Sequence, residues 1–329
     1  MVEAVSAFRI WCERDLPAAY AGLLDGSAVL VGSGASEAHA HGSIADAQAI
    51  IASSRVRYDA ELMDAIPSLQ VISRTGIGLD NVSLPEASGR GIAVCHVPGG
   101  PTISTAEHAI SLLLAVAKAL PRTTEAMRSG RGDHFNDYTG VELNGLRLGI
   151  VGLGQIGRRV AVVARALEME VAAYDPFVDP EVARSVGAEL EPDLGLLLAG
   201  ADAVSLHVPL TENTRGLLDA KRIAQMKQGA ILVNTARGGL VDEGALLAAL
   251  EGGHLRGAGL DVFDPEPPES TNPLLRRSDV IATPHIAGAT GASRDRLWRA
   301  AIAQALQVLR GERPAGLANP EVWPPGGDA

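Results

Sequence analysis

Gly152-Leu-Gly-Gln-Ile-Gly157 stands between a short apolar run of strand character, Leu146 to Val151, and a stretch from Ile156 in which Val160, Val163, Ala164 and Leu167 recur at helical spacing. The pattern predicts a strand, a glycine turn and a helix. In such a turn the first glycine permits a tight bend, the second lets the backbone approach a pyrophosphate, and the third packs helix against strand. The helix N-terminus then faces the anion. A second apolar run, Val171 to Tyr174, ends at Asp175, whose carboxylate can accept hydrogen bonds from both adenosine ribose hydroxyls and repels a 2′-phosphate. Taken alone, the glycines would more readily serve an ordinary strand-to-helix turn. With strand, helix, second strand and terminal Asp in register, Gly152, Gly154, Gly157 and Asp175 read as contacts to a dinucleotide.

At 329 residues and 47% hydrophobic content, the chain can bury the cores of about two domains. Its formal net charge is −11, and Lys and Arg are scattered apart from pairs such as Arg158-Arg159 and Arg276-Arg277, which argues against a nucleic-acid surface. The two cysteines, Cys12 and Cys95, lie in or beside apolar segments with no second thiol at metal-ligand spacing, as reduced structural thiols of a cytosolic protein would. The N-terminus lacks a basic region followed by an apolar core, and the longest apolar run, Ala109 to Ala117, is interrupted by Ser111 and too short to span a bilayer. A cytoplasmic protein with no membrane partner is expected. His39 and His41 sit in a Gly, Ser and Ala stretch without other ligand candidates, so a solvated loop is expected there and no metal site.

Apolar runs at Val5 to Ile10, Ala28 to Val31, Ala49 to Ala52, Leu69 to Ser73 and Ile92 to Cys95 alternate with helical stretches, an open α/β pattern. Arg74-Thr-Gly-Ile-Gly-Leu-Asp-Asn81 lies between the last two runs, and its glycines suit a bend as well as a ligand contact. Pro98-Gly-Gly-Pro101 then interrupts the pattern. Ser104-Thr-Ala-Glu107 reads as a capping box opening a long apolar helix to about Leu120, a domain boundary with a rigid connecting helix. Arg131 to Gly140 reads as loop. From Leu146 the alternation resumes, with runs at Ala203 to His207, Ala230 to Asn234, Gly257 to Val262 and Val280 to Ala282 extending the same sheet. A helix from about Ser293 to Arg310 could cross back to the first domain, and the tail after Arg313 is expected to pack as an extended strap or fray.

Ligands of open α/β sheets sit beyond the carboxyl ends of the strands, so the polar residues there are the ones to collect. They are Val208-Pro-Leu-Thr211, Thr235-Ala-Arg-Gly-Gly239, Asp261, Asp264-Pro-Glu-Pro-Pro268 and Thr283-Pro-His-Ile-Ala-Gly288. Together they place one Arg, one Glu and one His on neighbouring loops. A guanidinium can grip a carboxylate with two parallel hydrogen bonds and polarise an adjacent carbonyl. Histidine is the side chain suited to deliver a proton near neutral pH, and a carboxylate beside it fixes the ring. Singly, Arg237 suits a surface ion pair, Glu266 a turn and His285 a core histidine; as a trio at the strand ends of a cofactor sheet they suit hydride transfer to a 2-oxo acid.

Six segments, Arg74 to Val82, Ser104 to Leu114, Gly149 to Gly157, Asn234 to Asp242, Gly259 to Pro268 and Thr283 to Gly288, resemble the D-isomer-specific 2-hydroxyacid dehydrogenase family in the family's order. The resemblance implies a Rossmann-type doubly wound parallel sheet over 101–289 that binds NAD. It also implies a flavodoxin-like α/β substrate domain, discontinuous over 1–100 and 290–329, and a homodimer. By the same resemblance Arg237 binds the substrate carboxylate, His285 is the proton donor and Glu266 its partner. Cofactor contacts are implied for Gln155, Ile156, His207, Val208, Pro209, Thr214, Thr235, Ala236, Arg237, Asp261 and His285, and substrate contacts for the backbone of Ile77 and Gly78.

Within the family the chain looks most like the phosphoglycerate dehydrogenases, in Gly78-Leu-Asp-Asn81 and in Ala236 to Ala245. It departs where those enzymes tend to carry Arg-Ser and Ser-Asn, reading Ser53-Ser54 and Gly100-Pro101. The C-terminal regulatory domain some of them carry is not expected within these 329 residues. The departures favour a compact D-2-hydroxy acid of the glyoxylate or hydroxypyruvate kind, with 3-phosphoglycerate dehydrogenation as the alternative. An NAD(H)-sensing protein like the corepressors of this fold is a second alternative. A formate-oxidising relative is disfavoured, because Glu266 stands where that subgroup uses an amide.

Overall fold

Parallel strands covered by helices on both faces must be apolar along their whole length, and the strands here are short aliphatic runs of that kind. The computed structural model describes residues 8–24, 26–31, 44–130 and 138–324, so His39, His41 and the first seven residues of the expected 131–140 loop lie outside the described residues. Two compact units emerge, Met1–Pro101 with Thr290–Ala329, and Thr102–Ala289.

The first unit holds five parallel strands, β1 (Arg9–Cys12), β2 (Ala28–Val31), β3 (Ala49–Ala52), β4 (Val71–Arg74) and β5 (Ala93–Cys95), in the order β2-β1-β3-β4-β5. The winding direction therefore reverses between β1 and β3. The strand expected at Val5 to Ile10 lies partly outside the described residues, and its described part runs on to Cys12 because Ile10, Trp11 and Cys12 are all core. The helix Gly291–Leu309 is capped by Thr290, whose hydroxyl accepts the Ser293 amide at 3.1 Å, and it lays Leu297, Ala301, Ile302 and Ala305 against β3, β4 and β5. The described part of the tail, to residue 324, packs as a strap, held by the Asn319 side chain, which accepts from Val94 N at 2.8 Å and donates to Ile92 O at 2.9 Å. Cys12 and Cys95 are free and buried, and desolvation pushes both thiols up to about 12, so neither is a nucleophile.

The second unit is a seven-stranded parallel sheet of β6 (Arg147–Val151), β7 (Glu170–Tyr174), β8 (Glu189–Leu190), β9 (Ala203–Leu206), β10 (Ala230–Asn234), β11 (Leu255–Leu260) and β12 (Val280–Ala282). Its order is β12-β11-β10-β9-β6-β7-β8, a Rossmann-type doubly wound sheet whose winding reverses between β6 and β9. The helix expected to open at a Ser104 capping box starts two residues earlier and runs Thr102–Ala117. Ser104 is 5% exposed and lies inside the helix, not at its cap position; Pro101, which has no N–H to lose, precedes the first turn instead. Nor does this helix reach Leu120. Ala119 adopts a left-handed φ of 52°, and a second helix, Leu120–Ser129, leaves at 58° to the first. The long helix belongs to the second unit, where Leu112 and Val116 press onto Gly259 and Gly257 of β11; a Cβ at those glycines would stand 2.7 and 2.8 Å from them. Among the described residues no single helix is long and apolar enough to cross a membrane.

Candidate functional site

The turn after β6 is built as its glycines require. Gly152 has φ 94°, and a Cβ there would lie 2.8 Å from the His207 carbonyl carbon; a Cβ on Gly157 would strike the Gly152 carbonyl oxygen. Both are fixed by packing. Gly154, the residue before the helix Gln155–Ala166, has open space where its Cβ would be. Among the described residues the Gln155 and Ile156 amides have no internal acceptor, which leaves the helix N-terminus able to take an anion. Asp175 follows β7 and does a job that sequence reasoning missed. Its Oδ2 accepts the Leu153 amide at 2.8 Å and its Oδ1 the Phe177 amide at 2.9 Å, so the carboxylate also ties down the glycine turn.

Beyond β9, His207 sits with Nε2 2.8 Å from Ser205 Oγ, and Thr214 closes the following loop by donating to Pro209 O at 2.7 Å. Burial pushes the His207 pKa from 6.5 down to about 4. The ring is therefore neutral in the folded protein across the whole range in which the unfolded chain protonates. Stability attached to it is complete above pH 6.5 and is lost as pH falls from there to about 4, by at most about 3 kcal/mol because the half-buried residue keeps some water. Denaturant unfolding at pH 7 and pH 4.5 should show this loss, and His207→Asn should flatten it. An equal loss in the variant would place the acid sensitivity elsewhere.

Beyond β10, the Asn234 side chain shapes the turn that carries the arginine, accepting the Ala236 amide at 3.0 Å and donating to Arg237 O at 2.8 Å. Arg237 is half-buried, with Nη1 donating to Ala236 O at 2.7 Å. Thr235 is buried, and its hydroxyl is one of two buried side-chain polar atoms without a partner among the described residues. A polar group left unsatisfied inside the protein just beyond a strand end is what a bound polar ligand would complete. Gly238 brings this turn against the loop after β11, because its missing Cβ would fall on the Phe263 carbonyl and 2.6 Å from Asp264 N.

That second loop carries Glu266, whose Oε1 lies 2.5 Å from His285 Nδ1, with the side chains 38% and 42% exposed respectively. His285 has φ 51°, a left-handed conformation uncommon outside glycine. Asp261 holds it there. Its carboxylate accepts from Thr283 Oγ1 at 2.6 Å, Ile286 N at 2.9 Å and Ala287 N at 2.8 Å, and its carbonyl accepts the His285 amide at 2.8 Å. At 1% exposure Asp261 is an anchor of the histidine loop, a role the sequence did not disclose. His108, also missed, places Nε2 3.0 Å from Thr283 Oγ1 and 3.4 Å from Asp261. The local signal was one histidine in a helix whose following residues are mostly apolar.

In the first unit, the Arg74 guanidinium donates to Gly78 O at 2.9 Å and also to Ser53 O, while His96 Nδ1 lies 2.9 Å from Ile77 O. Among the described residues the Ile77 and Gly78 amides donate to nothing, so two N–H groups are free on a loop whose carbonyls are fixed. Ser53, which stands where the phosphoglycerate pattern has Arg, is 6% exposed and turned inward to Glu13.

A family model described as the NAD binding domain of D-isomer specific 2-hydroxyacid dehydrogenase matches residues 110–287. D-3-phosphoglycerate dehydrogenase of Archaeoglobus fulgidus is 45% identical over 243 residues, covering 74% of this chain and 46% of that protein. The Mycobacterium tuberculosis protein of the same name is 40% identical over 289 residues, covering 86% of this chain and 54% of its own length. The chain thus spans about half the length of these relatives. Among solved structures, the TT0316 protein of Thermus thermophilus superposes with a TM-score of 0.89 at 39% identity, covering 94% of this chain and 100% of that one. A glyoxylate reductase from Paecilomyes thermophila gives 0.86 at 29% identity, covering 95% and 98%.

Proposed function

This chain belongs to the D-isomer-specific 2-hydroxyacid dehydrogenase family, and on that premise we propose that it interconverts a D-2-hydroxy acid and its 2-oxo acid with NAD. The hydrogen bond between His285 Nδ1 and Glu266, beyond the sheet whose neighbouring turn bears Arg237, carries the reading. When bound, NADH supplies the hydride. The open Gly154 and the free Gln155 and Ile156 amides would hold its pyrophosphate, Asp175 its ribose hydroxyls and the Thr235 hydroxyl a further polar group. Arg237 grips the substrate carboxylate, and the Ile77 and Gly78 amides are its backbone contacts. With Nδ1 committed to Glu266, His285 has Nε2 left to give a proton to the carbonyl oxygen in reduction and to take it back in oxidation.

Relatives named D-3-phosphoglycerate dehydrogenase at 40% to 45% identity favour a phosphate-bearing substrate. The compact-substrate expectation built on Ser53 and Pro101 gives way to the phosphoglycerate alternative, which the names of these relatives support. Loss of NADH absorbance with phosphohydroxypyruvate, hydroxypyruvate and glyoxylate tests this. Phosphohydroxypyruvate should have the highest kcat/KM, and absence of turnover with any 2-oxo acid would sink the enzymatic reading in favour of a cofactor-sensing protein.

Asp175 predicts a preference for NADH over NADPH, flattened or reversed by Asp175→Ser with Tyr174→Arg. Because Asp175 also holds the Leu153 amide, the variant should lose affinity for both cofactors as well. Equal kcat/KM with the two cofactors in the unaltered protein would contradict the assignment.

A further inference from the structure

The winding of the first sheet reverses between β1 and β3, the kind of place at which open parallel sheets bind ligands beyond the carboxyl ends of their strands. Glu13 and Arg14 follow β1 there, and Ser53 to Arg55 follow β3. Glu13 is 0% exposed, and its carboxylate is surrounded by donors from the second loop: Ser53 N at 2.7 Å, the Ser53 hydroxyl, Arg55 N at 2.9 Å and Tyr58 OH at 2.7 Å. A buried carboxylate so occupied fixes the turn on which Arg55 stands. Arg14 rests on that same turn, with Nε donating to Ser53 Oγ at 3.2 Å.

Arg294 arrives from the first turn of the helix Gly291–Leu309. Burial first, then the charge of Arg55 and more weakly that of Arg294, lower the pKa of Arg14, with Glu13 opposing them. Arg55 and Arg294 thus each lie within electrostatic reach of Arg14. Among the described residues none of them is ion-paired, whereas Arg57 stands 4.0 Å from Asp59. Guanidinium groups brought beside Arg14 with no ion-paired carboxylate among the described residues, on a chain of net charge −11, suit an anion that would join them. Arg74 ties the Ser53 carbonyl to Gly78 O, so this cluster adjoins the loop whose free amides are assigned to the substrate.

We propose that Arg14, Arg55 and Arg294 form the subsite for the phosphate end of the substrate, displaced from the Arg-Ser position of the phosphoglycerate pattern and set in place by Glu13. The assignment rests on the function proposed above. A phosphate dianion matches three guanidinium donors, which can share its oxygens, while a compact 2-oxo acid has no second anion to offer them.

The test is equilibrium binding by calorimetry of 3-phosphoglycerate, D-glycerate and D-malate to the full chain, beside NADH turnover with phosphohydroxypyruvate and hydroxypyruvate. The variants are the Arg14→Ala, Arg55→Ala double and the Arg294→Ala single, which change exposed side chains, with Arg184→Ala as a surface control. The unaltered protein should bind 3-phosphoglycerate at least tenfold more tightly than D-glycerate. The double variant should lose most of that difference and Arg294→Ala part of it, with the kcat/KM ratio of the two oxo acids falling in step. If the preference for phosphate survives in the double variant, the arginine subsite is wrong and the proposed function stands. If the unaltered protein shows no preference, or prefers D-malate, both the subsite and the phosphoglycerate reading fall. If it binds and discriminates as described but turns over nothing, the subsite stands and the enzymatic reading falls.

Discussion

His285→Gln is expected to lower turnover at least about a hundredfold while NADH affinity changes little, the loss that follows removal of a positioned acid. Glutamine can keep a hydrogen bond to Glu266, as His285 Nδ1 does at 2.5 Å, so the loop geometry has a means of surviving the change. What it cannot do is gain or lose a proton. Asp261 holds the 285 backbone through the His285 amide and the two amides that follow, all independent of the imidazole, so the variant should fold and unfold as the unaltered protein does. The effect should therefore appear in kcat with a smaller change in KM. Unaltered turnover in His285→Gln would remove the proton-donor role from this residue.

The second large effect is expected from Gly238→Ala, where the added methyl meets backbone. The Phe263 carbonyl and Asp264 N occupy that space, and neither can rotate away as a side-chain tip would. Either the turn carrying Arg237 or the loop leading to Glu266 must shift. Overpacking of this kind costs about 1–3 kcal/mol, and a displacement of about 1 Å at a substrate-gripping group costs about a hundredfold in rate. We expect a lowered Tm and a loss of kcat/KM of about that size. Gly154→Ala makes the control, because its methyl would enter open space at a negative φ of −69°. Its Tm should be unchanged while NADH affinity falls, since the space is assigned to the pyrophosphate. Unchanged activity in Gly238→Ala would mean the two loops are not coupled as the geometry indicates.

Much of the second unit was legible because its signals are short-range. The glycine turn after β6, the helix behind it and the acid ending β7 lie within two dozen residues, where strand and helix periods and the absence of a side chain are read directly. The runs at Ala230 to Asn234 and Val280 to Ala282 are strands to the residue. Arg237, Glu266 and His285 were legible as residue types at strand ends. The N-terminus of the Thr102–Ala117 helix was misplaced because Ser104-Thr-Ala-Glu107 has the local form of a capping box, and only packing against Gly257 and Gly259 shows that face to be buried.

Sequence alone determined the class of fold, the nucleotide turn and the residue types that suit acid catalysis, because each depends on neighbours in the chain. Tertiary structure decided what those residues are attached to. It made Asp261 an anchor of the histidine loop, gave Asp175 a hold on the glycine turn, and turned Ser53 inward to Glu13. It also gathered Arg14, Arg55 and Arg294 from a strand end, a loop and a distant helix at the point where the first sheet reverses its winding. No local pattern encodes that meeting, since it follows from strand order and from the helix returning to the first unit. The charge of such a site is written in the residues, but its convergence exists only once the sheet has formed.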